Sequence, residues 1–247
     1  ENMNNLCGSL AFSSKCEIDF IRLRNQFIRW ISQYNIIGDI SNEESRCDKY
    51  VIFDNEKAHI QQFLSADRRN ESLSGISIIK KLVGNMYSLR PKQIQIEWDS
   101  LGAPKALLQK SRTERMHMPV SISHSEGVVA GICISPISDI TNLPQIGIDI
   151  EKIPNSTPLS IVENFSAQEK VYLSILPQWQ KSLIFTKLWT RKEALAKSSN
   201  LPLGDIISWN VIHSKIITKN TFELFQLHSL FLSEIGMVIS IAIREIE

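Results

Sequence analysis

Three carboxylates and a lysine carry the clearest chemical signal in this 247-residue chain. Asp149 and Glu151 lie in Gln-Ile-Gly-Ile-Asp-Ile-Glu (145–151), where Ile146, Ile148 and Ile150 alternate with them. Alternation of this kind predicts a half-buried β-strand, with both acids on one face about 6.6 Å apart. Glu193 and Lys197 lie in Trp-Thr-Arg-Lys-Glu-Ala-Leu-Ala-Lys (189–197), at i and i+4 of a predicted helix and so on one side of it. If strand and helix converge, three acids and a lysine form a site for a hard cation and a phosphate. Taken singly, each pair has a plainer reading: a solvated strand face for Asp149 and Glu151, a surface ion pair for Glu193 and Lys197.

Several other chemistries are excluded. His124 sits in Ser-His-Ser (123–125), but no G-x-S-x-G surrounds these serines to expose a nucleophile. Neither G-x-G-x-x-G nor G-x-x-x-x-G-K-[ST] occurs, and H-E-x-x-H is absent. A net charge of +1 gives no reason to expect a nucleic acid or another extended polyanion as partner. Apolar residues make up 43% and charged residues 21%, which suits a globular chain with a sizeable core. Cys7, Cys16, Cys47 and Cys133 have neither zinc-ligand spacing nor the density of a disulfide framework. With no uninterrupted apolar run of membrane-spanning length, these features predict a cytoplasmic protein without a membrane partner. Glu1 and Asn2 precede Met3, which we read as the natural start.

The elements that must position these residues follow from periodicity. Phe20, Leu23, Phe27, Trp30 and Ile31 predict a helix from Asp19 to Ile31, and Val51-Ile52-Phe53 a short strand. A helix begins near Glu56, resumes after Asp67 with the stripe Leu73, Ile76, Ile79, Leu82 and Val83, and breaks at Arg90-Pro91. Strands are expected at 94–98, 120–125 and 128–134, the last two as a hairpin through Glu126-Gly127. Ser135 to Pro144 reads as a linker; helices follow from Leu159, break at Pro177, end near Leu201-Pro-Leu-Gly, and give way to strands. Gly127–Ile134 echoes Gly236–Ile243, which suggests two related α+β halves, 1–140 and 141–247.

The joint pattern resembles the 4′-phosphopantetheinyl transferase family. Ile-Gly-Ile-Asp-Ile-Glu (146–151) and Trp-Thr-Arg-Lys-Glu-Ala-Leu-Ala-Lys (189–197) look like its two main motifs, in the variant with Trp before Lys-Glu-Ala. Val-Ser-Ile-Ser-His-Ser (120–125), Phe165-Ser-Ala-Gln-Glu169 and Leu201-Pro-Leu-Gly204 resemble further family pieces in order, as does Asp67-Arg68-Arg69 at a helix start. The likeness covers about residues 60–210. Gly102-Ala103-Pro104 departs from the family's Gly-Lys-Pro, with Lys105 one position on. The length favours the larger, Sfp-type branch: an α+β fold of two pseudo-symmetric halves in one monomer, with the active site in the cleft between them.

What the resemblance implies is transfer of the phosphopantetheine arm of coenzyme A to a serine of an apo acyl or peptidyl carrier protein, releasing 3′,5′-ADP. Asp149, Glu151 and Glu193 would hold Mg²⁺, with Mn²⁺ as a substitute. Lys192, Lys197, His124, Ser123 and Arg68 would contact coenzyme A. Glu193, Lys197 or a water near Glu169 would take the serine proton, Glu193 being the first choice. Two other classes fit the same acids: a Mg²⁺-dependent phosphodiesterase or hydrolase acting on a nucleotide-like substrate, and a non-catalytic carrier-protein-binding module.

Overall fold

Leu23, Phe27 and Ile31 recur at one helical face, and in the computed structural model they are the buried stripe of the first helix, α1 (Lys15–Ile31). The structure describes residues 15–34, 36–42, 50, 53–100, 102–109, 115–134, 143–217 and 223–244. After α1 come β1 (Ile36–Asn42), α2 (Asp54–Gln61), α3 (Ala66–Tyr87), β2 (Ile94–Trp98), β3 (Pro104–Gln109), β4 (Arg115–Ser125) and β5 (Val128–Ile134). The second run is β6 (Gln145–Lys152), α4 (Leu159–Val162), α5 (Ala167–Ile175), α6 (Gln178–Ser199), α7 (Leu203–Ile206), β7 (Lys215–Ile217), β8 (Leu224–Leu232) and β9 (Met237–Arg244). Of the expected strand at 51–53, Val51 and Ile52 lie outside the described residues. Phe53 is the extended residue before α2, and the expected linker lies outside the described residues from 135 to 142.

The fold class is α+β, with two antiparallel sheets. The first has the order β1-β5-β4-β3-β2 and the second β6-β9-β8-β7. Three apolar clusters hold the layers. α3 covers the first sheet through Ile76, Ile79 and Val83, and α6 covers the second through Leu188, Ala194 and Leu195. Between the sheets, Ile40 and Ile132 of the first meet Ile148, Ile150 and Ile239 of the second, with α1 closing the same core. The alternation of β6 thus has a physical purpose: its isoleucines fill the inter-sheet core while Gly147, Asp149 and Glu151 take the other face.

Both long helices have defined ends. Ser65 caps α3 by accepting from the Arg68 N–H at 3.0 Å, and Ser88 ends it in the left-handed conformation at φ 54°. Pro177 precedes α6 and Asn200 ends it at φ 55°. Among the described residues, no helix is long and apolar enough to cross a membrane.

Candidate active site

Helix α6 lies unusually close to β6, and the sequence allows it at one point. A Cβ on Gly147 would stand 1.9 Å from the Ala194 carbonyl oxygen, so only glycine permits this approach. The close packing sets the turn bearing Glu193 and Lys197 against the strand bearing Asp149 and Glu151. Lys197 Nζ donates to Asp149 Oδ1 and to the Ile148 carbonyl oxygen, each at 2.9 Å. Ser123 Oγ also donates to Asp149 Oδ1, at 2.8 Å, and Ser125 Oγ donates to Glu151 Oε2 at 2.9 Å. The other oxygen of Asp149, Oδ2, is buried and has no hydrogen-bond partner among the described residues.

The acids feel one another. Burial pushes the Glu193 carboxyl up to about 6, and repulsion from Asp149 and Glu151 adds to this against the attraction of Lys197. Glu151 is raised as well, by burial first and then by Asp149, with the Ser125 hydrogen bond, Lys197 and Arg68 pulling the other way. Among the described residues, no three His, Cys, Asp or Glu side chains are gathered tightly enough to hold an ion unaided. The donor set nevertheless fits a hard cation. All donors are carboxylate oxygens, one of them is buried and bare, and a divalent charge removes the repulsion that raises Glu193. Magnesium needs only one or two protein carboxylates when substrate phosphates and waters complete its octahedron.

Glu151 also borders a cavity of about 610 Å³, whose lining includes Arg68, Glu71 and His124. Arg68 Nη1 lies 2.6 Å from His124 Nδ1, while Glu71 Oε2 lies 3.0 Å from the same nitrogen and 3.4 Å from Arg68 Nη1. Burial lowers the His124 pKa; Glu71 opposes this, and Arg68 and Lys197 reinforce it. Arg68 comes from the first turn of α3 and His124 from the end of β4, so residues 56 apart share one wall. The sequence reading missed Glu71. Its only local signal was the i, i+3 spacing from Arg68.

Three expectations need correction. Lys192 and Glu169 do not reach the cavity: both side chains are 0% exposed, and they pair with each other at 2.8 Å. Lys192 Nζ also donates to the Trp209 carbonyl oxygen, while Glu169 accepts from Val211 N at 2.9 Å and from Ser166 N at 3.0 Å. With their polar atoms committed in the interior, neither is available to a phosphate or a serine proton here. Ser123 is buried too, and its hydroxyl faces Asp149 and the β6 backbone instead of a coenzyme A phosphate. Lys105, one position past the place of the family's lysine, lies away from His124. It stands opposite Pro119, five residues back along β4, and pairs with Asp99 at 3.6 Å. Trp189 packs in the core under α6, stacked on Phe185.

Residues 145–238, which span β6 through the start of β9, match the 4′-phosphopantetheinyl transferase superfamily, ACPS. The matched segment contains Asp149, Glu151, Glu193 and Lys197, and the cavity wall formed by Arg68, Glu71 and His124 precedes it in sequence. The chain is also similar to the 4′-phosphopantetheinyl transferase HetI of Nostoc sp. (strain PCC 7120 / SAG 25.82 / UTEX 2576), at 28% identity over 151 residues. That similarity covers 60% of this chain and 60% of the relative's length.

Proposed function

We propose that this protein moves the 4′-phosphopantetheine arm of coenzyme A onto a serine of an apo acyl or peptidyl carrier protein. The observation that carries the reading is the bare, buried Asp149 Oδ2 among mutually repelling acids, beside a cavity that bears Arg68 and His124. In this reading the 3′-phosphate end of coenzyme A lies against Arg68 and His124, and the pyrophosphate lies toward Glu151. Mg²⁺, or Mn²⁺ in its place, would be held by Asp149, Glu151 and Glu193, and would supply charge neutralisation to the pyrophosphate oxygens.

The chain's own residues account for the remaining work. Lys197 holds Asp149 Oδ1 and brings a cation toward the phosphates. The carrier serine oxygen forms a bond to the β-phosphorus, the bond from that phosphorus to the bridging oxygen breaks, and 3′,5′-ADP leaves. The serine proton passes to the Glu193 carboxylate, directly or through one water. In this reading the protein is a cytoplasmic, Sfp-type monomer, with the described parts of the halves 1–140 and 141–247 supplying opposite walls of the cleft.

Intact mass spectrometry of apo carrier proteins incubated with this protein, coenzyme A and Mg²⁺ tests the reading. We expect a gain of the phosphopantetheine mass, abolished by a chelator. Coenzyme A breakdown without an acceptor would point instead to a hydrolase. Carrier binding that survives chelation, with no added mass, would point to a binding module.

A further inference from the structure

β6 is an edge strand of the second sheet, paired with β9 on one side only. Its outward N–H groups would be left unsatisfied, yet three serines of β4 accept them. Ser121 Oγ accepts from Ile148 N at 3.1 Å, Ser123 Oγ from Ile150 N at 3.2 Å, and Ser125 Oγ from Lys152 N at 3.4 Å. Each partner is 27 residues further on, so the serines form a comb in constant register along the strand. Side chains here do what a neighbouring strand's carbonyl oxygens would do.

Two of the three teeth do a second thing. A hydroxyl has one proton to donate. Ser123 donates its proton to Asp149 Oδ1 at 2.8 Å, and Ser125 donates its proton to Glu151 Oε2 at 2.9 Å. Because Lys197 Nζ also reaches Asp149 Oδ1, that oxygen has two donors and Oδ2 has none among the described residues. The backbone N–H fixes each serine, and each serine fixes a carboxylate.

We infer that Ser123 and Ser125 are positioning residues: each is pinned by a β6 N–H and turns an acid so that one oxygen is left bare for a divalent cation. Ser121 is a tooth of the same comb whose hydroxyl is not bonded to Asp149, Glu151 or Glu193, and it serves the seam alone. The inference rests on reading those acids as cation ligands. It differs from a coenzyme A contact for Ser123, because it places the hydroxyl's effect on the ion.

Direct titration of the purified protein with Mn²⁺, followed by the loss of its free electron-spin-resonance signal and without coenzyme A or carrier, separates the possibilities. Thermal midpoints are recorded in parallel. We expect Ser123→Ala to weaken Mn²⁺ binding about tenfold or more and Ser125→Ala about threefold to tenfold, on the scale known for groups that orient metal ligands. Ser121→Ala removes an equivalent N–H acceptor and should lower the thermal midpoint while leaving Mn²⁺ affinity within about twofold. Ser123→Thr keeps the hydroxyl and should recover most of the affinity. If Ser123→Ala does not fold, Ser125→Ala at the more open end of the comb carries the test. Wild-type affinity in both alanine variants overturns the positioning role while the metal reading stands. Equal weakening in Ser121→Ala overturns it also, since the effect would then be general loosening of the seam. No Mn²⁺ binding by the wild type overturns the metal reading itself.

Discussion

Asp39 of β1 and Asp149 of β6 occupy matching places in the two sheets, and their surroundings differ in one respect. Asp39 stands opposite Gly131 of β5, and Asp149 stands opposite Ser240 of β9, the matching positions of the two strands whose sequences echo each other. Both acids are buried, at 6% and 4% exposure. Arg24 of α1 grips Asp39 with two hydrogen bonds, at 2.5 and 2.8 Å, and Ile40 N adds a third at 2.9 Å. Both oxygens of Asp39 are satisfied, whereas Asp149 keeps Oδ2 bare. Counted from the start of each 22-residue helix, the places of Glu193 and Lys197 in α6 are taken in α3 by Lys81 and Asn85. One sheet closes its aspartate with an arginine; the other leaves it open beside more acid.

What the two regions share teaches as much. Lys80 pairs with Glu56 at 2.7 Å and Lys192 with Glu169 at 2.8 Å, all four side chains 0% exposed. Each ammonium lies over a phenylalanine ring, Phe53 at 4.8 Å and Phe165 at 4.7 Å. Each glutamate also accepts a backbone N–H, from Ile96 at 2.8 Å or Val211 at 2.9 Å. A device repeated where there are no converging acids belongs to the scaffold: it ties each long helix to the chain before it. This supports the assignment of Lys192 to structure although it sits within a catalytic-looking motif.

The comparison can be broken most sharply at the two aspartates. Asp149→Ala should reduce carrier modification about a thousandfold or more with the fold retained, as should Glu193→Ala, because charge neutralisation at the phosphates is lost. Asp39→Asn should leave turnover of the folded protein near wild type. Mass-spectrometric rates and circular dichroism decide; full activity in Asp149→Ala, or a dead but folded Asp39→Asn, would undo the distinction. Next in size are the buried lysines. Lys80→Met and Lys192→Met each strand a buried carboxylate, so both should lose roughly 3–5 kcal/mol in chemical denaturation. A Lys192→Met protein of unchanged stability that had lost transfer would return Lys192 to the chemistry.

Smaller again is the cavity wall. Arg68→Ala should raise the KM for coenzyme A about tenfold, the scale of one charge-assisted contact, and erase discrimination against dephospho-coenzyme A. Retained discrimination would place the 3′-phosphate elsewhere. The smallest effect is on pH dependence. With the Glu193 pKa raised from 4.5 to about 6 by folding, its contribution to stability is intact below about pH 4.5 and is lost as pH rises through about 6. In chelator, Glu193→Gln should therefore gain thermal midpoint over wild type at pH 7 but not at pH 4.5; an equal gain at both would remove this cause.

Much of this arrangement was legible in the sequence, and the gaps have physical reasons. Period-two alternation exposed β6, and the breaks at Pro177 and Leu201-Pro202 bounded α6, because both signals are local. Lys192 and Glu193 are neighbours in sequence, but a helix turns about 100° between them. One therefore enters the core beneath α6 while the other meets the acids, and the motif alone cannot say which. The serines of 121–125 were visible as alternating residues, yet their partners lie 27 residues away on another sheet's edge. Glu71 and Arg24 were likewise ordinary charges on helices until distant chain brought His124 and Asp39 against them.

The close pass of α6 over Gly147 has a consequence for how this site can vary. The height of Glu193 and Lys197 above Asp149 is gauged by a single hydrogen atom, the α-hydrogen that stands where a methyl group would meet the Ala194 carbonyl oxygen. Any larger residue would act as a shim, lifting the whole helix and widening the gap between acids and lysine at once. The spacing on which a small ion depends is therefore set by the backbone itself, below the level that exchange of the charged side chains can adjust.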